Sequence, residues 1–119
     1  MQYKWGIFLA NLDPVIGSEQ GKTRPVIVIS EDAINQILPV VNIIPITSKK
    51  PERLKIYPNE VLIIPEDSGL SKESIILCYQ IRTLDKKRLI KQLGRIDKQI
   101  LQEQINEALC FQLGIETLK

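Results

Sequence analysis

The sequence predicts an α+β fold that is mainly β: a small, mostly antiparallel barrel or curled sheet, closed or flanked by a C-terminal helix. Three observations carry this. Between residues 5 and 82, five short runs rich in Val and Ile alternate with loops holding Pro, Gly or charge, the pattern of strands and turns. Near residue 100 the apolar period lengthens. Leu101, Ile105, Leu109 and Leu113 recur every four residues, with Ile100 and Ala108 widening the stripe of an amphipathic helix. Finally, a chain of 119 residues makes one domain, residues 1–119, with one core, so the helix has only the sheet to pack on.

Taken in order, Trp5–Ala10 reads as the first strand, and Asp13-Pro14 with Gly17 opens a loop. Pro25–Ile29 is the second strand. Its Val and Ile residues fill every position but the proline, which suggests burial on both faces and places Pro25 at a strand start or an edge. Glu31–Leu38 suits a short helix or a turn. Val40–Thr47 is the third strand, with Pro45 marking a bend or an edge, and Lys49–Pro58 is a charged loop. Glu60–Ile64 is the fourth strand, Asp67-Ser68-Gly69 turns the chain, and Ser74–Arg82 is the fifth strand. Thr83 or Asp85 is positioned to cap a short helix over Lys86–Gln92, and Asp97 to cap the longer one, which Gly114 stops. The count is five strands and two or three helices.

Composition narrows the chemistry. The chain contains no histidine, which removes Ser-His-Asp and Cys-His triads and the usual general acid/base for phosphodiester cleavage. Its two cysteines, Cys78 and Cys110, are far apart in sequence and read as reduced, buried thiols; they offer no zinc spacing. Nothing calls for a metal or another cofactor. No apolar run is long enough to span a membrane, and the N-terminal run is a strand and not a signal peptide, so the expected location is cytoplasmic. The net charge is only +2, but cations gather at Lys49, Lys50, Arg53 and Lys55 and again at Lys86, Lys87, Arg88, Lys91 and Arg95. Either run could equally be a solvated face.

Three stretches could carry chemistry. In GSEQGKTRPVIVIS, residues 17–30, Arg24 stands at the lip of a buried strand after a glycine-containing loop. A guanidinium there can take a phosphate bidentately while loop amides ring the anion. The plainer alternative is an Arg24 that pairs with Glu19 or Asp13 to hold the loop. In PITSKKPERLK, residues 45–55, Thr47 and Ser48 end a strand beside the basic run; the Thr47 hydroxyl could donate to a phosphoryl oxygen or simply serve the turn. Tyr57 in the same loop suits base stacking or ordinary packing. In SIILCYQIRTLDKKRL, residues 74–89, Gln80 and Arg82 share a strand face, and Arg82 could pair with Asp85 at a structural corner.

Together, GSEQGKTRPVIVIS, PITS and ESIILCYQIRTLDKKRL resemble the MazF/PemK/Kid family of toxin endoribonucleases, in the family's order and spacing, from about Trp5 to Leu113. The resemblance implies an SH3-like β-barrel with a further small sheet and a C-terminal helix. It implies a homodimer that cuts single-stranded RNA at short sequences without a metal, leaving 2′,3′-cyclic phosphate and 5′-hydroxyl ends, and that is blocked by a cognate antitoxin. The family's catalytic arginine falls on Arg24 and its catalytic threonine on Thr47. Gly17, Glu19 and Gln20 match the motif of a gating loop, Asp13–Thr23, and Ser74 and Gln80 fall on RNA-contacting positions. Lys22 stands where many members have Gly and could stiffen the loop or add a phosphate contact, and Ser48, next to Thr47 at the strand end, is expected among the RNA-binding residues. Glu19 or a water could take the 2′ proton. The competing expectations are a protein-gripping toxin like the gyrase poison CcdB, which shares the fold without the Arg/Thr pair, and an inactive RNA-binding module.

Overall fold

The computed structural model describes residues 2–116. Seven strands form one antiparallel sheet: β1 (Gly6–Asn11), β2 (Thr23–Val28), β3 (Val40–Ser48), β4 (Glu60–Ile63), β5 (Ser74–Leu77), β6 (Arg82–Asp85) and β7 (Leu89–Arg95). Two one-turn helices, α1 (Asp32–Asn35) and α2 (Pro65–Ser68), interrupt them, and α3 (Gln99–Leu113) ends the fold. The strand order is β4-β5-β3-β2-β1-β7, with β6 added to β3. The terminal strands β4 and β7 do not pair with each other, so the sheet curls without closing as a barrel.

Val and Ile on alternate parities serve two apolar layers. Ile7, Ile27, Ile44, Ile46 and Ile76 share one cluster with Leu101, Ile105 and Ala108 of α3 and with Ile96 in the connection before it. Phe8, Val26, Val28, Val41, Ile43 and Leu84 form a second cluster on the other face. This is why the second strand reads as a continuous apolar run.

Both strand prolines sit where the ladder changes. β2 begins two residues before Pro25, at Thr23, so Pro25 is not the strand's first residue. The β2–β3 pairing starts only at Val26↔Pro45, and Thr23–Pro25 pairs with β1 alone, which leaves one edge free for a residue without an N–H. β3 pairs with β6 over Val40–Ile43 and with β5 over Ile46–Ser48, and Pro45 lies between the two, at the change of partner. Beyond Val26↔Pro45, β2 and β3 therefore diverge.

The region after residue 77 departs from expectation. The fifth strand stops at Leu77 in a 3₁₀ turn, Cys78–Gln80, and the chain resumes as β6. Asp85 does cap, but it caps only a 3₁₀ turn, Lys86–Arg88, by accepting from the Lys87 N–H at 2.8 Å. The helix expected over Lys86–Gln92 is replaced by β7, because the open edge of β1 demands a partner and takes one from Gly6↔Arg95 to Ala10↔Leu89, with register shifts between Ile7 and Phe8 and between Leu9 and Ala10. Gly94 permits this strand to meet α2: a Cβ there would stand 1.9 Å from the Ser68 carbonyl oxygen.

In α3, Gly114 ends the helix with φ 67°, as expected, but the N-cap is Lys98, and Asp97 instead pairs with Arg95 Nε at 2.7 Å. Leu101, Ile105 and Ala108 are buried, Leu109 is half-buried, and Ile100 and Leu113 are exposed. Each four-residue step advances about 40° beyond a full turn, so a strict i+4 stripe rotates off the sheet by its last member.

Candidate active site

The divergence of β2 from β3 opens a cleft of about 500 Å³. Thr23, Arg24 and Pro25 form one wall, Ile46, Thr47 and Ser48 the other, and the connection from Gly69 to Ser74 closes the third side. Arg24, Thr47, Ser48, Ser74 and Lys22 thus meet in one place, drawn from three strands and a loop. Ser48 and Ser74 are direct cross-strand partners; Ser74 is buried and its Oγ donates to the Lys72 carbonyl at 3.0 Å.

The Arg24 side chain is half-buried, and its Nε donates to the Gly21 carbonyl at 2.9 Å. Neither Glu19 nor Asp13 forms an ion pair with it among the described residues. Among the described residues, the titratable side chains lining the cleft are Lys22, Arg24 and Lys72, all cations, and no carboxylate lines it. In a chain of net charge +2, this concentrates positive potential at one opening, and low-dielectric walls of Pro25, Ile46, Leu70 and Leu93 strengthen it. The arrangement can hold a polyanion and place a guanidinium and a hydroxyl on one of its phosphates. Leu70, Ser71 and Lys72 were not legible as site residues, since a polar turn before a strand carries no chemical signature of its own.

Of the remaining expected residues, Gly17, Glu19 and Gln20 build the loop beside the cleft and Gln80 bonds to it; none of these four lines the cleft. Gly17 is exposed, with φ 58°. Glu19 accepts from the Ile16 N–H at 2.6 Å, which uses its carboxylate to brace the loop. The Gln20 N–H donates to Gln80 Oε1 at 3.4 Å, Gln80 Nε2 donates to the Ser18 carbonyl at 3.2 Å, and the Gln20 Oε1 is buried without a partner among the described residues. Lys22 adopts φ 63°; its N–H donates to Asp13 Oδ1 at 2.8 Å and its carbonyl accepts from the Leu12 N–H at 2.8 Å, closing the loop neck. Arg82 donates to the Leu12 carbonyl, not to Asp85.

Outside the cleft, Tyr57 is half exposed, with Arg53 and Lys55 over its ring at 5.8 and 5.1 Å. Arg53 pairs with buried Glu60, whose hydrogen bond raises the guanidinium pKa further. Cys78 and Cys110 are both free; Cys78 is fully buried, and burial, helped by Glu60, pushes its thiol up to about 12, whereas Cys110 is only half-buried. Among the described residues, no group of three or more metal-ligating side chains comes together, and no helix is long and apolar enough to cross a membrane.

A curled antiparallel sheet, a flanking helix and a cationic cleft beside a side-chain-braced loop define a small α+β module with a cleft suited to an anion. Comparison with known proteins makes this specific. Residues 3–113 match the family of PemK-like, MazF-like toxins of type II toxin–antitoxin systems. Over all 119 residues the chain is 40% identical to the protein named Endoribonuclease MazF of Staphylococcus saprophyticus, covering 97% of it. It superposes on the MazE–MazF structure of Deinococcus radiodurans with a TM-score of 0.72 at 28% identity, covering 97% of each chain. It matches a mycobacterial endoribonuclease solved in complex with its cognate antitoxin with a TM-score of 0.78 at 21% identity, over 99% of this chain and 100% of that one. The chain belongs to the PemK-like, MazF-like toxin family.

Proposed function

We propose that this protein is an endoribonuclease toxin that cleaves single-stranded RNA, with Arg24 and Thr47 as its catalytic residues. The observation that carries the proposal is the meeting of Arg24 and Thr47 across a cleft whose titratable lining is entirely cationic. The substrate's own 2′-oxygen attacks the adjacent phosphorus, the P–O5′ bond breaks, and the 5′-oxygen takes up a proton. The products are a 2′,3′-cyclic phosphate and a 5′-hydroxyl. Arg24 stabilises the dianionic phosphorane and Thr47 donates to a non-bridging oxygen; placed donors of this kind are each worth roughly 3–4 kcal/mol. With no carboxylate lining the cleft and Glu19 engaged by the Ile16 N–H, the 2′ proton passes to water. A guanidinium, whose pKa exceeds ~12, acts through charge and position, not as a base.

Lys22, Ser48 and Ser74 contact flanking phosphates or sugars from the cleft walls, and Gly17, Glu19 and Gln20 act through the loop they build. Membership of a type II toxin family supports a cognate antitoxin as the protein partner, and a homodimer as the working form. Two free thiols suit a reducing cytoplasm.

The test is cleavage of a long, largely unstructured RNA in excess EDTA by wild type and Arg24→Ala side by side. Discrete products ending in cyclic phosphate, from wild type only, are expected. Folded wild-type protein that binds RNA without cutting it, or binds gyrase instead, would replace this reading with an inactive RNA-binding module or a protein-gripping toxin.

A further inference from the structure

We propose that Gln80, Arg82 and Arg88 form a latch that holds the loop between β1 and β2 in place and thereby aims Arg24, which makes them positioning residues for the reaction. This rests on the catalytic reading of Arg24 above. The three side chains come from the 3₁₀ turn after β5, from β6 and from the turn before β7, and all of them close on one loop. Gln80 grips its far limb at both ends of the amide, at the Ser18 carbonyl (3.2 Å) and the Gln20 N–H (3.4 Å). Arg82 Nη1 donates to the Leu12 carbonyl at 3.2 Å. Arg88 Nη1 donates to the Asn11 carbonyl at 3.3 Å and also to the Asp13 carbonyl.

These contacts are not extensions of the sheet. β6 pairs with β3, not with β1 or β2, and the β1–β7 ladder ends at Ala10↔Leu89, before the loop begins. Beyond that pair, the connection between the loop and the 80–88 segment is made by side chains. Neither Arg82 nor Arg88 forms an ion pair among the described residues; both guanidinium groups are directed to main-chain carbonyls of residues 11–13.

From residues 11–13 the path runs to Arg24 through short contacts. The Asp13 carboxylate accepts from the Lys22 N–H at 2.8 Å, and Leu12 and Lys22 bond main chain to main chain at 2.8 Å. The neck is tight at Gly21, where a Cβ would lie 2.7 Å from both Asp13 Oδ1 and Val15 Cγ2. The Gly21 carbonyl then receives Arg24 Nε at 2.9 Å. Moving the latched carbonyls moves the acceptor that fixes the guanidinium plane.

Losing the latch therefore leaves Arg24 present but misaimed, and a misplacement of about 1 Å lowers the rate on the order of a hundredfold. A direct RNA contact by Gln80 would act differently, weakening affinity and leaving the loop unchanged. The experiment compares wild type with Gln80→Ala, Arg88→Met and the double variant. It follows hydrogen exchange of the Arg24 Nε–H by NMR, kcat, and Kd for an oligonucleotide 2′-deoxy at the mapped cleavage position. Faster Nε–H exchange and a kcat lowered on the order of tenfold to a hundredfold, with Kd unchanged, are expected. Unaltered Nε–H exchange, or a weakened Kd with kcat held, would overturn the latch. Should Arg88→Met fail to fold, Gln80→Ala alone decides by the same readouts. A wild type that cuts no RNA sinks the proposed function, while the exchange arm still decides whether the latch aims Arg24.

Discussion

Arg24 has one donor engaged before any substrate arrives: Nε is on the Gly21 carbonyl, and no carboxylate neutralises the group among the described residues. An anion entering the cleft meets an oriented, unpaired guanidinium, which lowers the reorganisation needed in the transition state. Lys22, two residues earlier, combines a cleft-lining charge with a left-handed backbone, φ 63°. Those two properties separate by substitution. Lys22→Gly and Lys22→Ala both remove the charge, but only glycine relieves the conformation, so Lys22→Gly should be the more stable by about 1 kcal/mol in urea unfolding. Both should lower the slope of log Kd for RNA against log salt by about 0.7, the value of one single-strand phosphate contact. Equal stabilities would show that the loop relaxes around Lys22, and an unchanged slope that its charge is not on a phosphate.

At the scale of elements, one carboxylate fixes how the chain enters the sheet. Asp32, at the start of α1, accepts from the Tyr3 N–H (2.8 Å), the Lys4 N–H (3.0 Å) and Asn35 Nδ2 (3.2 Å). Burial alone would raise its pKa; the hydrogen bonds from Lys4, Asn35 and Tyr3 outweigh it and hold the carboxyl below its usual 3.8. A pKa lower in the folded than in the unfolded state contributes stability above the unfolded value, and that contribution fades as pH falls through the folded one. Asp32→Asn should therefore cost on the order of 1 kcal/mol at neutral pH, discounted for partial exposure, and nothing in strong acid. A variant gap that persists at the acid end of a pH series of urea midpoints would assign the loss to packing. The elements whose apolar runs are self-evident, β1 to β5 and α3, were legible from sequence, and the family motif pointed to Arg24 and Thr47, which the fold brings to one cleft. β7 was not, because KKRLIKQLGR scatters its apolar residues among five cations and its strand character is imposed by the free edge of β1, and β6 was not, because RTLD is too short to show a period and pairs with β3 only through the fold. The latch was also illegible: Gln80 and Ser18 are 62 residues apart, and nothing in either local sequence names the other.

For the whole molecule, the apolar surface left uncovered is as informative as the cleft. Tyr57, Tyr79 and Phe111 line one shallow pocket with Arg53, Pro58 and Asn59, and Phe111 is 63% exposed at the end of α3 where Leu113 and Ile115 are also exposed. Contiguous exposed aromatics of this kind are common at association surfaces. The helix face beneath them packs on the sheet through Leu101, Ile105 and Ala108, and about half or more of the Phe111, Leu113 and Ile115 surface stays open. This surface is where the proposed homodimer is tested. Sedimentation equilibrium should return about twice the 13.6 kDa chain mass for wild type, and a single chain for Phe111→Glu, whose carboxylate would be costly to desolvate in such an interface. Because the cleft lies between β2, β3 and the 69–74 connection, a Phe111→Glu monomer keeps an intact Arg24 environment. Its Arg24 Nε–H exchange should match wild type even where its RNA affinity falls through loss of the second subunit's charge. A wild type that sediments as one chain, or a Phe111→Glu variant that still pairs, would place the subunit contact elsewhere or remove it.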